Sequence, residues 1–323
     1  MKEAWMIPKH SSEPLARRTL GTTGLQVTPL CIGCSSIGNM PETFAYEVAQ
    51  DQALTFVRAL FAGPINFVDT AASYGDGESE RRIGMVIKER GGLPDGFVLA
   101  TKADRDLTTG VFTGEQMRRS IERSMRLLGL DTLPLVYLHD PEHITFEEAM
   151  QPGGPVEVLQ RCKDEGLIDH LGVAGGPIDL MTRFVETGLF EVAISHNRYT
   201  LLNREADPFW DVCQRRNVAT VNAAPYGSGI LAKGPGAYPR YMYSEAPREL
   251  LEKARHMEAA CERHGVPLAA AALHFSLRDP RIVSTIVGLT RPDRLTQTVE
   301  FAQQTIPAAL WTELDAIYAS KYA

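Results

Sequence analysis

The chain has 323 residues, 44% of them hydrophobic and 23% charged, enough for one large domain or two smaller ones around a sizeable core. Its 33 basic and 40 acidic residues give a formal net charge of −7, which argues against a nucleic-acid or anionic-membrane partner. No apolar run approaches the roughly 18 residues needed to cross a bilayer. Met1–Arg18 also lacks the apolar core of a secretory signal, so a cytoplasmic location is expected.

Residues 1–16 read as an N-terminal tail and 17–323 as one domain, since no low-complexity linker interrupts the chain. Short apolar runs then recur in order: Leu30–Cys34, Asn66–Asp69, Val98–Lys102, Leu135–His139, His170–Ala174, Ala193–Asn197, Thr220–Ala224 and Ser284–Val287. Most do not alternate polar with apolar residues, which is how parallel strands buried on both faces read. The first run holds Cys31 and Cys34. Without a second cysteine pair or a helix start, this C-x-x-C is read as small buried strand residues, and five cysteines are an odd number for a disulfide framework.

Helical segments separate the runs. Thr113 with Gln116 predicts a capping box. Met117, Ile121, Met125 and Leu128 then share one face, and Gly129 stands where a C-terminal cap belongs. Pro247 opens a later helix with the stripe Leu250, Leu251, Ala254 and Met257, ended by Gly265 and Pro267. The connection Tyr226–Ala246, with Tyr238, Tyr241 and Tyr243, is long enough to suggest a covering or substrate-facing segment. A final helix is expected at about Pro307–Ser320 with only a stub after it, which suggests an open pocket. Eight strands alternating with helices predict an α/β fold of the (β/α)₈ TIM-barrel type. No strand leads into a G-x-G-x-x-G turn, so a Rossmann domain has no support.

Barrel enzymes build their sites at the C-terminal ends of the strands. That rule brings Asp69, then Tyr74 in the following loop, Lys102 and His139 to one mouth from the second, third and fourth runs. The four make chemical sense together. A phenol is a poor acid–base group at neutral pH. A neighbouring ammonium is expected to lower its pKa, and a carboxylate would hold that ammonium in place. Tyr74 is thus the candidate acid–base, Lys102 its tuner, Asp69 the orienter of Lys102, and His139 the group that polarises the reacting oxygen. A Schiff-base aldolase using Lys102 would not need this set. A metal-dependent hydrolase lacks an H-x-H on the first strand, so no metal is expected.

With these residues in place, the chain resembles the aldo-keto reductases from about Arg17 to the last helix. Leu20–Val27 resembles that family's N-terminal β-hairpin. Phe67–Gly75 followed by Gly77–Glu80 is similar to its strongest motif, and Thr101-Lys102 and Leu138-His139-Asp140 match the rest of its catalytic tetrad. The resemblance implies direct hydride transfer with a nicotinamide cofactor bound across the barrel mouth. It places cofactor contacts at Ala174, Gly175, His196, Ala223, Pro225, Tyr226, Gly227 and Gly229, and beyond the last strand at Gly288, Arg291, Arg294, Gln297 and Thr298. Gly288 stands where a phosphate-gripping Lys is common, which favours NAD, while Arg291 and Arg294 keep NADP open.

Gly172–Gly176 and Asn222–Gly229 further resemble the family's aldose 1-dehydrogenase branch, which includes L-fucose, D-threo-aldose and L-galactose dehydrogenases and to which pyridoxal 4-dehydrogenase is similar. The implied reaction oxidises a hemiacetal C1 to a lactone. A general aldehyde or ketone reductase is the alternative. A non-enzymatic, cofactor-sensing partner role, as in potassium-channel β subunits, has no docking extension to support it. Substrate contacts are expected from Met40, Glu142, His143 and Tyr241, and the resemblance implies a monomer or homodimer acting on a small sugar or hemiacetal.

Overall fold

The computed structural model describes residues 15–242 and 244–320. The expected tail, apart from its last two residues, and Tyr243 lie outside the described residues. Eight parallel strands close into a barrel: β1 (Leu30–Gly33), β2 (Phe67–Asp69), β3 (Val98–Ala103), β4 (Leu133–His139), β5 (Ile168–Gly175), β6 (Val192–His196), β7 (Ala219–Ala223) and β8 (Ile282–Gly288). Each pairs with its predecessor, and β8 returns to β1 with Thr285 opposite Leu30 and Gly288 opposite Gly33. The expected barrel is present, with each strand end within about two residues of its predicted place.

Two apolar layers explain why the strands carry continuous hydrophobic runs. Inward-facing Phe67, Ala100, Leu135, Tyr137, Val192 and Val221 fill the barrel. Outward-facing Ile32, Val68, Leu99, Val136, Leu171 and Val287 pack beneath the helices. A two-strand hairpin, Arg18–Thr19 with Gln26–Val27, lies at the N-terminal end of the barrel. Its Leu20 and Val27 are fully buried in the inner layer. Cys31 and Cys34 are both fully buried and unbridged, so the plain reading of the C-x-x-C holds.

The main helices are α1 (Gln50–Phe61), α2 (Glu78–Arg90), α3 (Gly114–Leu128), α4 (Pro155–Asp164), α5 (Ile178–Glu186), α6 (Asp207–Arg215), α7 (Leu268–Leu277) and α8 (Pro292–Gln303). On α3, Met117, Ile121 and Leu128 are buried, and Gly129 closes the helix at φ 69°. The capping box is only half formed. Thr113 Oγ1 accepts from Gln116 N at 3.3 Å, but the Gln116 side chain donates instead to the Asp104 carbonyl at 3.1 Å. The pull comes from the barrel mouth, where the backbone after β3 must be satisfied.

The described residues of the long connection after β7 carry secondary structure. They form a 3₁₀ turn (Gly227–Gly229), a short helix (Ile230–Lys233) and a small hairpin (Arg240–Tyr241 with Ser244–Glu245). A helix over Arg248–Arg263 follows, in which Ala254 and Met257 are buried and Leu250 and Leu251 are half-buried. The last described helix is Ala308–Ala319.

Candidate active site

Backbone crowding after β2 places the phenol. Gly75 has φ 62°, and a Cβ there would sit 1.9 Å from the Gly38 carbonyl oxygen. A Cβ on Gly38 would in turn meet the Tyr74 carbonyl at 2.7 Å. Only glycine allows the two loops to touch, and the contact directs Tyr74 over the mouth. The downstream residues of the same motif brace it. Arg82, held by Glu78 at 2.7 Å, donates to the carbonyls of Ile37 and Val48, and Ser79 Oγ donates to the Cys34 carbonyl at 2.8 Å. Buried Glu80 accepts from Thr101 Oγ1 at 2.5 Å beneath the site, and burial pushes its carboxyl up to about 7.

The four predicted side chains do converge. Lys102 Nζ donates to Asp69 Oδ2 at 2.7 Å, to the Thr70 carbonyl at 2.8 Å and to Tyr74 Oη at 2.9 Å. All three ammonium hydrogens are thereby committed. Burial works against the charge, but Asp69 and Tyr74 outweigh it and hold the Lys102 pKa above its ordinary value. A nucleophilic, neutral lysine does not fit this arrangement. The expected effect on Tyr74 needs correcting. Burial raises its pKa most, and although Lys102 lowers it as anticipated, the net result lies well above the ordinary phenol. Tyr74 keeps its proton in this state, so it stands ready as an acid.

His139 lies edge-on to Tyr74, with ring centroids 5.9 Å apart. Its Nδ1 is 2.6 Å from Asp104 Oδ1, a buried partner that the sequence reading passed over. Asp104 Oδ2 accepts from Ser73 N at 2.8 Å. The signal was present as Lys102-x-Asp104, because two-residue spacing at a strand end returns the side chain to the same face. Asp140, the next residue after His139, adds Oδ1 at 3.7 Å from Nε2. Asp140, Glu142 and His196 each bring one polar atom within 4.8 Å of the others, so acidic groups border the mouth on this side. A cavity of about 520 Å³ lined by Ser73, Asp104, Arg105 and Arg123 adjoins the pair on the α3 side.

The remaining predicted positions divide into two groups. Across the ends of β5, β7 and β8 the rim is nearly bare: Ala174, Gly175, Ala223 and Gly288. Nothing stands within 4 Å of where a Gly288 Cβ would be, whereas a Cβ on Gly175 would press on Met181 and Glu142. At the end of β6, His196 is held neutral by burial, with its pKa lowered to about 4. This floor of small side chains with one neutral polar ring suits a flat, extended ligand such as a dinucleotide, so the residues fit the implied cofactor. Past β8, Arg291 is paired with Asp293, and Arg294 donates to Gln297 at 2.5 Å. The Thr298 hydroxyl donates within its own helix, to the Arg294 carbonyl at 2.8 Å.

In the other group the side chains mainly serve the fold. Tyr226 is half-buried against the outer apolar layer, next to buried Pro225. Tyr241 is buried, donates to the Asn197 carbonyl at 3.2 Å and packs its ring over Gly227. Gly229 takes φ 119° beside the Tyr238 ring. Glu142 accepts from Gly176 N at 3.2 Å, His143 is exposed, and Met40 precedes the short helix Pro41–Phe44.

The aldo/keto reductase family model matches residues 29–319, which is nearly the whole domain. The chain belongs to the aldo/keto reductase family. Like that family it is an oxidoreductase, and the family's nicotinamide cofactor accords with the bare rim described above. Its similarity to a D-threo-aldose 1-dehydrogenase from Pseudomonas sp is 33% identity, covering 94% of this chain and 97% of the relative. A pyridoxal 4-dehydrogenase from Microbacterium luteolum is 28% identical over 92% of this chain and 96% of its own. Both fall in the branch that the β5 and β7 motifs resemble. The fold matches that of an aldo-keto reductase from Bacillus halodurans in its holo form with a TM-score of 0.76 at 21% identity, covering 95% and 98% of the two chains. Among the described residues no helix is long and apolar enough to cross a membrane.

Proposed function

We propose that this aldo-keto reductase oxidises the C1 hemiacetal of a small aldose to a lactone, with NAD as its preferred cofactor. The observation that carries the chemistry is the junction of Lys102 Nζ with Asp69, Thr70 and Tyr74, beside His139, at the C-terminal mouth of the barrel. The likeness to D-threo-aldose 1-dehydrogenase supports the substrate class. When bound, the cofactor supplies the hydride acceptor at its nicotinamide ring.

The chain's own residues manage the oxygen. Tyr74 and His139 meet at the mouth, where the C1 hydroxyl is to be received. Lys102 keeps the phenol oxygen in a positive field and lets it carry either a proton or a share of negative charge. The O1–H bond breaks toward these two residues as the C1–H bond gives up its electron pair, and C1 becomes the carbonyl carbon of the lactone. Asp69 balances the ammonium throughout. The bidentate pairing of Arg291 with Asp293 supports NAD, because a 2′-phosphate would have to compete with that carboxylate.

A spectrophotometric screen with NAD and, separately, NADP tests this reading on L-fucose, L-galactose, D-arabinose and pyridoxal. Cofactor reduction by a sugar is expected, and Tyr74→Phe should lower kcat by about 10²- to 10⁴-fold, the usual contribution of a positioned acid–base group. Reduction by pyridoxal alone would replace the aldose with that cyclic hemiacetal. Silence on the whole panel, with aldehydes still reduced, would leave a general reductase.

A further inference from the structure

The geometry assigns Asp104 as the positioning residue of His139: it holds the Nδ1–H and so fixes the tautomer and orientation in which the imidazole meets the substrate oxygen beside Tyr74. This rests on the proposed reaction for its readout in activity, but its structural core stands on the Asp104–His139 pair alone.

The pair is built on all sides. Asp104 stands directly after β3 and is 4% exposed, and His139 ends β4 at 8% exposed. Both carboxylate oxygens of Asp104 are used, Oδ1 by His139 Nδ1 at 2.6 Å and Oδ2 by Ser73 N at 2.8 Å. Its backbone is held as well, since Asp104 N donates to Ser120 Oγ at 3.1 Å and its carbonyl accepts from Gln116 Nε2 at 3.1 Å. A carboxylate can only accept, so Nδ1 must carry the hydrogen. A neutral His139 therefore presents the lone pair of Nε2 to the mouth, and a protonated one presents an N–H there.

The imidazole lies edge-on to Tyr74, with ring centroids 5.9 Å apart, so a ring locked in one tautomer offers Nε2 as a second hydrogen-bonding group to the oxygen that Tyr74 serves. The groups facing the imidazole are Asp104 beyond β3, Lys102 on β3, Tyr74 after β2, neighbouring Asp140, and His196 at the end of β6. Burial disfavours the imidazolium, but Asp104 and then Asp140 overcome it, leaving His139 titrating above its ordinary value.

The test begins without substrate. Histidine NMR titration of the full chain, with His139→Gln to assign the signal, is compared between wild type, Asp104→Asn and Asp104→Glu. Loss of a charge at this distance is expected to lower the His139 pKa by roughly one unit or more, with Glu restoring part of the shift. Activity is then read over pH with the aldose that the screen selects, or by reduction of a simple aromatic aldehyde if no aldose is oxidised. Asp104→Asn should lower kcat/KM by at least about tenfold, move the His139-dependent limb of the profile to lower pH, and leave cofactor affinity unchanged. In His139→Gln the same substitution should cost nothing further, because both act through one group. An unmoved His139 titration in Asp104→Asn, or a double variant losing the product of the two single losses, overturns the assignment. Should Asp104→Asn fail to fold, the Glu variant alone decides: a His139 signal that titrates as in wild type, together with a large loss of activity, refutes it. A failed sugar screen leaves the NMR result standing, so the two proposals fail separately.

Discussion

The two halves of the barrel mouth are built on opposite plans. On the side of β2, β3 and β4, charged and polar side chains lock onto one another: Lys102 has three partners, and Asp104 fixes His139. On the side of β5, β7 and β8 the strand ends carry Ala174, Gly175, Ala223 and Gly288, small residues that make no side-chain hydrogen bonds, with free space beside Gly288. The first half is fixed by hydrogen bonds among its own side chains. The second half leaves room for a molecule that must come and go. A hydride-transfer enzyme with a dissociable cofactor needs both, since proton chemistry demands preorganisation and exchange demands a surface free of tight interlocks.

The contrast is broken most severely by removing one partner of the buried pair on the locked side. Asp69→Ala leaves the Lys102 ammonium, 3% exposed at its side chain, without its counter-ion. Loss of one member of a buried ion pair costs about 3–5 kcal/mol. The expected result is a Tm lower by several degrees together with loss of turnover. Ala223→Ser on the open side should change Tm little, within roughly 0.5 kcal/mol, as expected where no buried network is touched. Thermal melts of the two variants check this. Equal destabilisation would mean that the two halves are not mechanically different.

Glu80 tests how far the locked side reaches beneath the tetrad. Its carboxyl lies buried against Thr101, the residue before Lys102, with burial raising its pKa to about 7. A carboxyl raised on folding binds its proton more tightly in the folded state. Its stabilisation is complete below the ordinary value near 4.5 and disappears as pH climbs through 7. At full size the effect is on the order of 3 kcal/mol, so wild type should lose stability between about pH 4.5 and 7. Glu80→Gln should flatten that dependence. A denaturation series across the window decides, and parallel curves for the two proteins would remove Glu80 from the account.

Much of this was legible in the residues themselves, for a physical reason. Double-sided burial leaves its mark on every strand, and the strand-end rule then places Asp69, Lys102 and His139 on one rim without any structure. Asp104 was passed over because its meaning depends on which way the His139 ring turns, a tertiary fact. The raised pKa of Tyr74 was equally hidden: the sequence shows which charges are neighbours, but not how much water has been excluded, and here burial outweighs the lysine. Tyr241 shows burial acting in the same hidden way. An aromatic in a long connection invited a ligand, yet its hydroxyl is spent on the Asn197 carbonyl. The half-formed cap at Thr113 has the same origin, since Gln116 finds a better acceptor in the Asp104 carbonyl.

The smallest expected effect belongs to the open half. Gly288 ends β8, is exposed, and has free space where a side chain would begin. Its φ is not left-handed, so a lysine can be introduced without backbone strain. A Gly288→Lys ammonium would stand close to the start of α8, near Arg291 and Arg294. If the adenosine end of the cofactor lies there, this charge should strengthen NADP binding by about tenfold, equivalent to roughly 1.4 kcal/mol, and leave NAD nearly unchanged. Screening reduces the gain as salt rises, which provides an internal check on its electrostatic origin. Fluorescence titration with both cofactors at two ionic strengths reads the outcome. A gain for NADP that shrinks with salt puts the 2′-position beside β8 and explains a glycine there as a preference for NAD. Equal changes for both cofactors would place the phosphate elsewhere, and the bare rim would then owe its small residues to substrate access instead.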